Sequence, residues 1–272
     1  MPRKRSGRKG GRRLLKFAGA AGLACAVYVL WLPDVAPLAR SNPKTTSYIE
    51  LRRAQARRAG RKFAPRMVWA PWDRISGHLK HAVLIAEDDA FYRHRGVDWE
   101  SVKLAVRKDW EMKRLAYGGS TITQQVARNL YLSPSKNPLR KVKELLIARR
   151  LEGVLGKRRI FELYLNVAEW GKGIYGAEAA ARVYFDKSAA DLTVDEAVAM
   201  AVVLPNPRRW NPARKGRYVE RNMRRIMVRM RASGFLPEAA SEVPAGDLEA
   251  DAAGLSSAAS AAAVSTSAAA GW

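Results

Sequence analysis

The sequence predicts a mainly α-helical fold, and three observations support that class. Apolar residues recur at three- and four-residue spacing in three segments, residues 102–115, 137–155 and 192–205. The last segment opens with Thr193 and Glu196, a capping-box pair that is typical of a helix start. No strand pattern of comparable strength accompanies them. At 272 residues the chain is long enough for one sizeable domain with appendages.

The first predicted element is the apolar segment 14–32, LLKFAGAAGLACAVYVLWL, in which Lys16 is the single charge. Its nineteen residues nearly reach the roughly 20 that a helix needs to cross a bilayer. The basic tail formed by residues 1–13 predicts, by the positive-inside rule, a cytoplasmic N-terminus and an exported body. We therefore expect an uncleaved single-pass anchor. A cleaved signal peptide, or a lipoprotein cleavage site ending at Cys25, is the alternative.

Composition divides the remainder of the chain. Three prolines within residues 33–45 predict a linker after the anchor. A folded domain is expected over residues 46–236, and its first part, residues 46–80, mixes basic and aromatic residues. That mixture suits either a segment lying on a membrane surface or a solvated helix with a loop. Residues 237–272 are rich in Ala and Ser with few large apolar groups, which predicts a disordered tail.

The net charge of +24 restricts the class of partner without selecting one. Such a chain attracts polyanions, which include nucleic acid, anionic lipid and phosphate-bearing substrates. The single cysteine, Cys25, rules out a disulfide within the chain.

The first polar cluster follows an apolar run that begins at Ala82. It consists of Glu87 and Asp88, followed at short intervals by Phe91, His94 and Gly96. Taken alone, such an acidic group most often caps a helix or pairs with surface arginines. The alternative is that one of these carboxylates does chemistry.

Two further clusters combine amides, hydroxyls and cations. In GGSTITQQVARNLYL, residues 118–132, two glycines favour a turn and Ser120 is predicted to cap a helix. On that helix Gln124 and Arg128 share a face, as do Gln125 and Asn129. In the next cluster Arg140 and Lys141 precede Glu144 by about one helical turn, which is more often a surface ion pair than a site.

A fourth, weaker cluster begins with Lys157 and Arg159. It leads to Glu162, Tyr164 and Asn166. Alone, it is most simply interpreted as the charged start of another helix.

In this order and spacing the four clusters resemble the signature motifs of the family 51 glycosyltransferases, the peptidoglycan polymerases. The resemblance is particularly close to the monofunctional biosynthetic peptidoglycan transglycosylases and extends over about residues 45–230. It implies a lysozyme-like helical domain with a small membrane-facing lobe near residues 45–80 and part of 100–135.

The resemblance also implies an activity and a location. These enzymes polymerise lipid II by transferring the growing lipid-linked glycan chain to the 4-hydroxyl of lipid II, with inversion and release of undecaprenyl pyrophosphate. The implied partners are lipid II, the lipid-linked chain, the membrane and other cell-wall synthesis proteins, and not nucleic acid. The implied location is the bacterial inner membrane with a periplasmic catalytic domain.

By the same resemblance, Glu87 matches the general base and Glu144 the second essential carboxylate. The positions that match substrate-binding or motif-shaping residues are Asp88, Phe91, His94, Ser120, Thr121, Thr123, Gln124, Gln125, Arg128, Asn129, Arg140, Lys141, Lys157 and Arg159. Asp89 falls at a variable position and is interpreted as a surface acid. The resemblance leaves open a divalent ion, Mg²⁺ or Mn²⁺, near Glu144, and names no cofactor that is required.

Two features depart from a simple match. Arg128 stands where the family usually has Lys, which keeps the charge but replaces a point charge with a planar fork. SPSK, residues 133–136, fits the Ser-x-x-Lys signature of penicillin-binding transpeptidases, but its partner motifs are missing, so we interpret it as chance and expect a monofunctional enzyme. A lysozyme-like glycan hydrolase and a non-catalytic scaffold remain the alternative functions.

Overall fold

The helical fold class is confirmed by a computed structural model that describes residues 7–111, 119–135, 137–214 and 216–237. Side chains at 7–15, 17, 18, 21 and 108–110 lie outside the description. The helices are α1 (Gly7–Leu30), α2 (Ser47–Arg58), α3 (Gly77–Glu87), α4 (Trp99–Glu111), α5 (Ile122–Tyr131), α6 (Pro138–Val154), α7 (Lys157–Val167), α8 (Ala177–Phe185), α9 (Val194–Val203) and α10 (Arg217–Ala232). The strands are β1 (Arg66–Met67), β2 (Glu169–Gly171) and β3 (Ile174–Tyr175).

The predicted helices form close to their expected bounds. Helix α6 begins one residue inside its segment, and α9 starts at the predicted capping box, in which the Thr193 hydroxyl accepts from the Glu196 amide. The prediction for α5 is wrong by one residue: Thr121, rather than Ser120, caps this helix by accepting from the Gln124 amide. The end of the segment predicted over 102–115 lies outside the described residues.

A small sheet in the order β1-β3-β2 had no counterpart in the sequence prediction. Strand β1 runs parallel to β3, and β2 runs antiparallel to β3 with an irregular register. Strands of two or three residues are too short to produce a readable alternation of apolar and polar residues.

One hydrophobic core joins most of the described helices, and it fixes where the polar clusters lie. Helix α3 packs against α9 and α10, while α5 packs against α6 and α7. Trp170, Phe161 and Tyr164 are among the largest side chains within the core. The C-terminal end of α3 and the N-terminal end of α5 therefore lie next to each other.

The segments that precede the core lie against it. The predicted linker is packed on the body: Val35 and Leu38 are buried, and Arg159 Nε donates to the Leu38 carbonyl at 2.8 Å. The region 46–80 contributes α2, whose Ser47 hydroxyl donates to the Leu130 carbonyl of α5 at 2.8 Å.

The predicted anchor and the predicted disordered tail lie at the two ends of the chain. The apolar segment 14–32 lies mostly in α1, which packs beside α6, with Lys143 Nζ 4.3 Å from the Tyr28 ring centroid. In the part of the chain that the structure describes, no helix has the length and apolarity that crossing a bilayer requires. The start of the predicted basic tail, residues 1–6, and residues 238–272 of the predicted disordered tail fall outside the description.

Replacing Gly176 with alanine should destabilise the fold. Gly176 has φ +85°, and a Cβ there would lie 2.9 Å from the Asn166 carbonyl oxygen and 3.2 Å from that of Val68. Backbone strain and this close contact together should lower the free energy of unfolding by about 2 to 4 kcal/mol, measured by chemical denaturation.

The matched control is Gly153→Ala. Gly153 is an exposed residue of α6 with no atom near the added Cβ, so this change should stabilise the protein slightly through helix propensity. Equal effects of the two substitutions would contradict the assignment of strain to Gly176.

Candidate active site

Glu87 is the last residue of α3, and the packing of that helix determines where its carboxylate lies. Leu79 and Val83 anchor α3 in the core, and Glu87 emerges half-buried at its end. Gln125 Nε2 of α5 donates to Glu87 Oε2 at 2.7 Å. Burial raises the pKa of the Glu87 carboxyl, and the Gln125 hydrogen bond and the charge of Arg128 oppose that shift only in part.

Asp88 connects the end of α3 to the start of α5. Its carboxylate accepts from the Ile122 amide at 2.9 Å and lies 2.9 Å from His94 Nε2. Because an ionised carboxylate only accepts hydrogen bonds, His94 donates from Nε2 here. These contacts of Asp88 therefore hold the end of α3, and with it Glu87, against the start of α5.

The side chains of Phe91, His94 and Asp88 are largely buried, and Asp88 also lines the pocket beside Glu87. The Phe91 ring packs against Phe161, with centroids 5.6 Å apart, and Lys157 Nζ lies 4.3 Å from its centroid on another side. These residues shape the loop under Glu87.

Lys141 joins the second and third clusters. Its ammonium donates to Ser120 Oγ at 3.0 Å, to Gln124 Oε1 at 2.9 Å and to Glu144 Oε1 at 2.6 Å. These three bonds use all three donors of the ammonium group. Burial lowers the pKa of Lys141, and the neighbouring Glu144 carboxylate opposes that shift.

Glu144 is fully buried, and both of its oxygens are paired. Arg140 Nη1 binds one oxygen and Lys141 the other. The pair that is most often found on a surface is therefore an internal ion triad in this protein. It presents two cations next to the start of α5.

Arg128 acts on both groups through its charge. Burial raises the pKa of Glu87 and the charge of Arg128 opposes that shift, whereas burial lowers the pKa of Lys141 and the charge of Arg128 adds to that shift. Its Nε atom is buried and has no hydrogen-bond partner among the described residues. Asn129 is half-buried beside it on α5.

Two of the predicted cations lie outside this group. Lys157 Nζ donates to Glu152 Oε1 at 2.7 Å, and Arg159 donates to the backbone carbonyls of Leu38 and Ser41. Arg159 also lies over the Trp69 ring at 5.3 Å. The structure thus gives Lys157 and Arg159 structural partners instead of bringing them to Glu87 and Glu144.

The predicted hydroxyl and amide residues divide in the same way. Thr121 caps α5 and donates to the Gly96 carbonyl, Thr123 donates to Glu152, and Gln124 supports Lys141. All three are buried, whereas Ser120 and Gln125 are only half-buried beside the catalytic candidate.

A pocket of about 170 Å³ opens beside Glu87. Among its lining residues are Asp98, Ser120 and Arg229, the last from α10. Arg229 pairs with Asp89 Oδ2 at 2.8 Å, so Asp89, interpreted from sequence as a surface acid, is exposed but holds a cation at the edge of this pocket.

Sequence reasoning missed Glu152 and Arg229, which contact residues of the site but carry no motif. It named Tyr164 within the fourth cluster without assigning it a role, and the structure places its hydroxyl 3.4 Å from Gln125 Oε1. Arg229 and residue 89 are connected only by their proximity in space. The sequence does not encode that proximity directly.

The residues around Glu144 do not fit a protein-held divalent ion. Divalent ions prefer several oxygen ligands, but Arg140 and Lys141 already occupy the Glu144 oxygens. No group of three or more His, Cys, Asp or Glu that could hold a metal lies within the described ranges.

The arrangement can combine base catalysis with anion binding. Glu87, a carboxylate of raised pKa, contacts Gln125 of α5, while Lys141 contacts Gln124 of the same helix and shares Glu144 with Arg140. Arg128 of α5 adds a third cation. Such a site suits a transfer in which a hydroxyl loses a proton while an anionic group departs.

Comparison with known proteins shows which family the chain belongs to. The profile of the Transglycosylase family matches residues 54–231. The chain is 48% identical over 205 residues to a biosynthetic peptidoglycan transglycosylase of Aromatoleum aromaticum, covering 75% of this chain and 89% of that protein.

Two further relatives carry the same name. They come from Thiobacillus denitrificans, 44% identical over 78% of this chain and 92% of that protein, and from Dechloromonas aromatica, 44% identical over 71% and 83%. The fold and site define a helical glycosyltransferase. The chain belongs to the transglycosylase family, and the resemblance to its biosynthetic peptidoglycan members is confirmed.

Replacing Glu144 with glutamine should destabilise the protein as well as inactivate it. The neutral amide carries no charge, so Arg140, which is largely buried, and the partly exposed Lys141 both lose their counter-charge. We expect a loss of about 3 kcal/mol in the free energy of unfolding, measured by chemical denaturation.

The control is Glu100→Gln, which removes an exposed partner of Lys103. It should leave stability unchanged within error. If Glu144→Gln behaved like the control, the triad would contribute no more than a surface pair.

Proposed function

We propose that this enzyme polymerises lipid II into linear glycan strands by inverting transfer. The growing lipid-linked chain is the donor, and the 4-hydroxyl of an incoming lipid II is the acceptor. The observation that supports this most is the separation of one carboxylate of raised pKa, Glu87, from a group of cations organised by Glu144.

In the proposed step Glu87 accepts the proton of the acceptor hydroxyl as its oxygen bonds to the anomeric carbon of the donor. The bond from that carbon to the pyrophosphate breaks on the opposite face, which inverts the α-linked carbon to a β linkage. The electron pair leaves with undecaprenyl pyrophosphate. The raised pKa of Glu87 makes it a stronger base than an exposed carboxylate.

The cations have unequal tasks. Lys141 has partners for all its protons and Arg140 binds Glu144, so both act on the pyrophosphate mainly through their charge. Arg128 has a buried Nε without a hydrogen-bond partner in the described part of the chain, and its planar fork suits phosphate oxygens.

A lysozyme-like hydrolase is less well supported. Glycosidases use a second carboxylate as nucleophile or as the base that activates water. Both oxygens of Glu144 are engaged by cations, so it does not offer that function. A hydrolase also has no departing phosphate for these cations to stabilise.

Glu87→Gln should abolish polymerisation of fluorescent lipid II in detergent. An amide cannot accept the hydroxyl proton, and loss of a general base lowers rates by about 100-fold or more. Products are resolved on a gel, with a muramidase-treated sample in parallel and with Mg²⁺ or Mn²⁺ present or absent. Glu100→Gln is the matched control and should polymerise at the wild-type rate.

The other outcomes separate the alternatives. Degradation of preformed glycan by the wild type, without chain growth, would indicate a hydrolase. Inactive wild-type protein under every metal condition would favour the scaffold. Ladder formation by a Glu87→Gln, Glu144→Gln double variant would overturn the assigned roles.

We also propose that residues 14–32 hold the enzyme in the bacterial inner membrane, with the N-terminus cytoplasmic and the catalytic domain periplasmic. Leu23, Val27 and Leu30 are large apolar residues that lie exposed on α1, and Trp31 follows them. An exposed apolar stretch of this kind is typical of lipid contact. The transmembrane orientation rests on the sequence pattern.

The full chain should stay in the membrane fraction after alkaline carbonate extraction, and a chain of residues 33–272 should be released. Release of the full chain would contradict the anchor. Intact mass of the membrane-bound protein tests the other alternative, because a missing N-terminal segment would indicate a cleaved signal peptide.

A further inference from the structure

The side chain of Gln125 bridges the base and a buried phenol. Its Nε2 donates to Glu87 Oε2 at 2.7 Å, and its Oε1 lies 3.4 Å from the hydroxyl of Tyr164 on α7. Tyr164 is 1% exposed, and its ring stacks on Phe161 with centroids 6.5 Å apart. A core residue therefore reaches the catalytic carboxylate through one intermediate amide.

The Gln125 amide can face Glu87 in two orientations, and only one of them is favourable. Gln125 has a donor end and an acceptor end, and rotation by half a turn exchanges them. With Nε2 toward Glu87, the amide stabilises the carboxylate; with Oε1 toward Glu87, two acceptors would oppose each other. Burial raises the pKa of Tyr164 well above its ordinary value, so its hydroxyl keeps its proton and donates to Oε1.

We propose that Tyr164 is a positioning residue for the transfer reaction, because its hydroxyl fixes the Gln125 amide in the orientation that donates to Glu87. This inference rests on the proposed function only in that Glu87 is the base. Tyr164 itself contacts no reacting atom.

The groups that face Glu87 come from several elements. Asp88 follows it in the chain, Arg128 faces it from α5, and Tyr164 faces it from α7. On α10, burial raises the pKa of Tyr218 and the charge of Glu87 adds a small contribution, and Arg229 lines the shared pocket, as does Asp98. Tyr164→Phe changes none of these charges.

The expected direction of the effect follows from the hydrogen bond. The Gln125 bond lowers the pKa of Glu87 against the larger effect of burial. If the amide loses its fixed orientation, burial is opposed less and the pKa of Glu87 rises further. The base works only when deprotonated, so activity should be lost at the acidic end of the profile and recovered as pH increases.

The experiment compares Tyr164→Phe with Tyr175→Phe in the full-length enzyme. Tyr175 is also fully buried, and its hydroxyl has no hydrogen-bond partner among the described residues. The two substitutions remove the same atom from buried rings, and only one of them removes a link to Gln125. Lipid II polymerisation is measured as kcat and KM across pH.

For Tyr164→Phe we expect the acidic limb of the kcat profile to move upward by about half a pH unit with KM unchanged, which lowers kcat by up to about threefold on that limb and by less at higher pH. Tyr175→Phe should leave the limb in place. Equal losses at every pH, or the same displacement in both variants, would overturn the proposal and reduce Tyr164 to a packing residue.

A second variant keeps the test decisive if Tyr164→Phe folds poorly. Gln125→Leu removes the amide and should displace the limb in the same direction by at least as much. If Tyr164 acts through Gln125, the Tyr164→Phe, Gln125→Leu double variant should be displaced no further than Gln125→Leu alone. Additive displacements would contradict the relay.

A direct titration separates this proposal from the proposed function. The carboxyl of Glu87 is followed by carbon NMR of the wild type and Tyr164→Phe, with Glu87→Gln used for assignment. A pKa that rises in Tyr164→Phe supports the positioning role even if no polymer forms. An unchanged pKa refutes that role even if polymerisation is confirmed.

Discussion

The arrangement of the site depends on the ion triad in which Arg140 and Lys141 hold the buried carboxylate of Glu144. Lys141 also binds Ser120 and Gln124, so this one ammonium ties the start of α6 to the start of α5. The motif at 140–144 and the motif at 120–125 thereby form one surface. The packing of α5 against α6 places the helices that carry the cations, and this link fixes their side chains.

Such a triad is not primarily a source of stability. Removing charges from water costs free energy that their mutual attraction only partly returns, and buried pairs are often no better than apolar residues of the same size. Their value is preorganisation: cations that are already desolvated and oriented stabilise a developing anion without rearranging during the reaction. The triad therefore adds little to the stability of the fold, and its main contribution is to hold cations ready for the reaction.

The sequence was informative where partners are close along the chain, and less so where they are distant. The capping box of Thr193 and Glu196, and the pairing of Arg140 with Glu144, follow from helical spacing and form as expected. The partners of Arg159 and Arg229 depend on tertiary packing across more than a hundred residues, so a motif or a charge indicated a cation without indicating its counterpart. The shift of the α5 cap by one residue arose because Ser and Thr cap equally plausibly, and Lys141 binds Ser120.

The strength of the base depends on more than Glu87. The neighbouring charge of Arg128 and the Gln125 hydrogen bond both lower its pKa, and burial, the largest effect, more than offsets them. In a chain of net charge +24, a carboxylate left open to water among these cations would be a weaker base. The environment of the base therefore includes Tyr218 and Arg229 of α10, although these residues lie outside the motifs that identify the family.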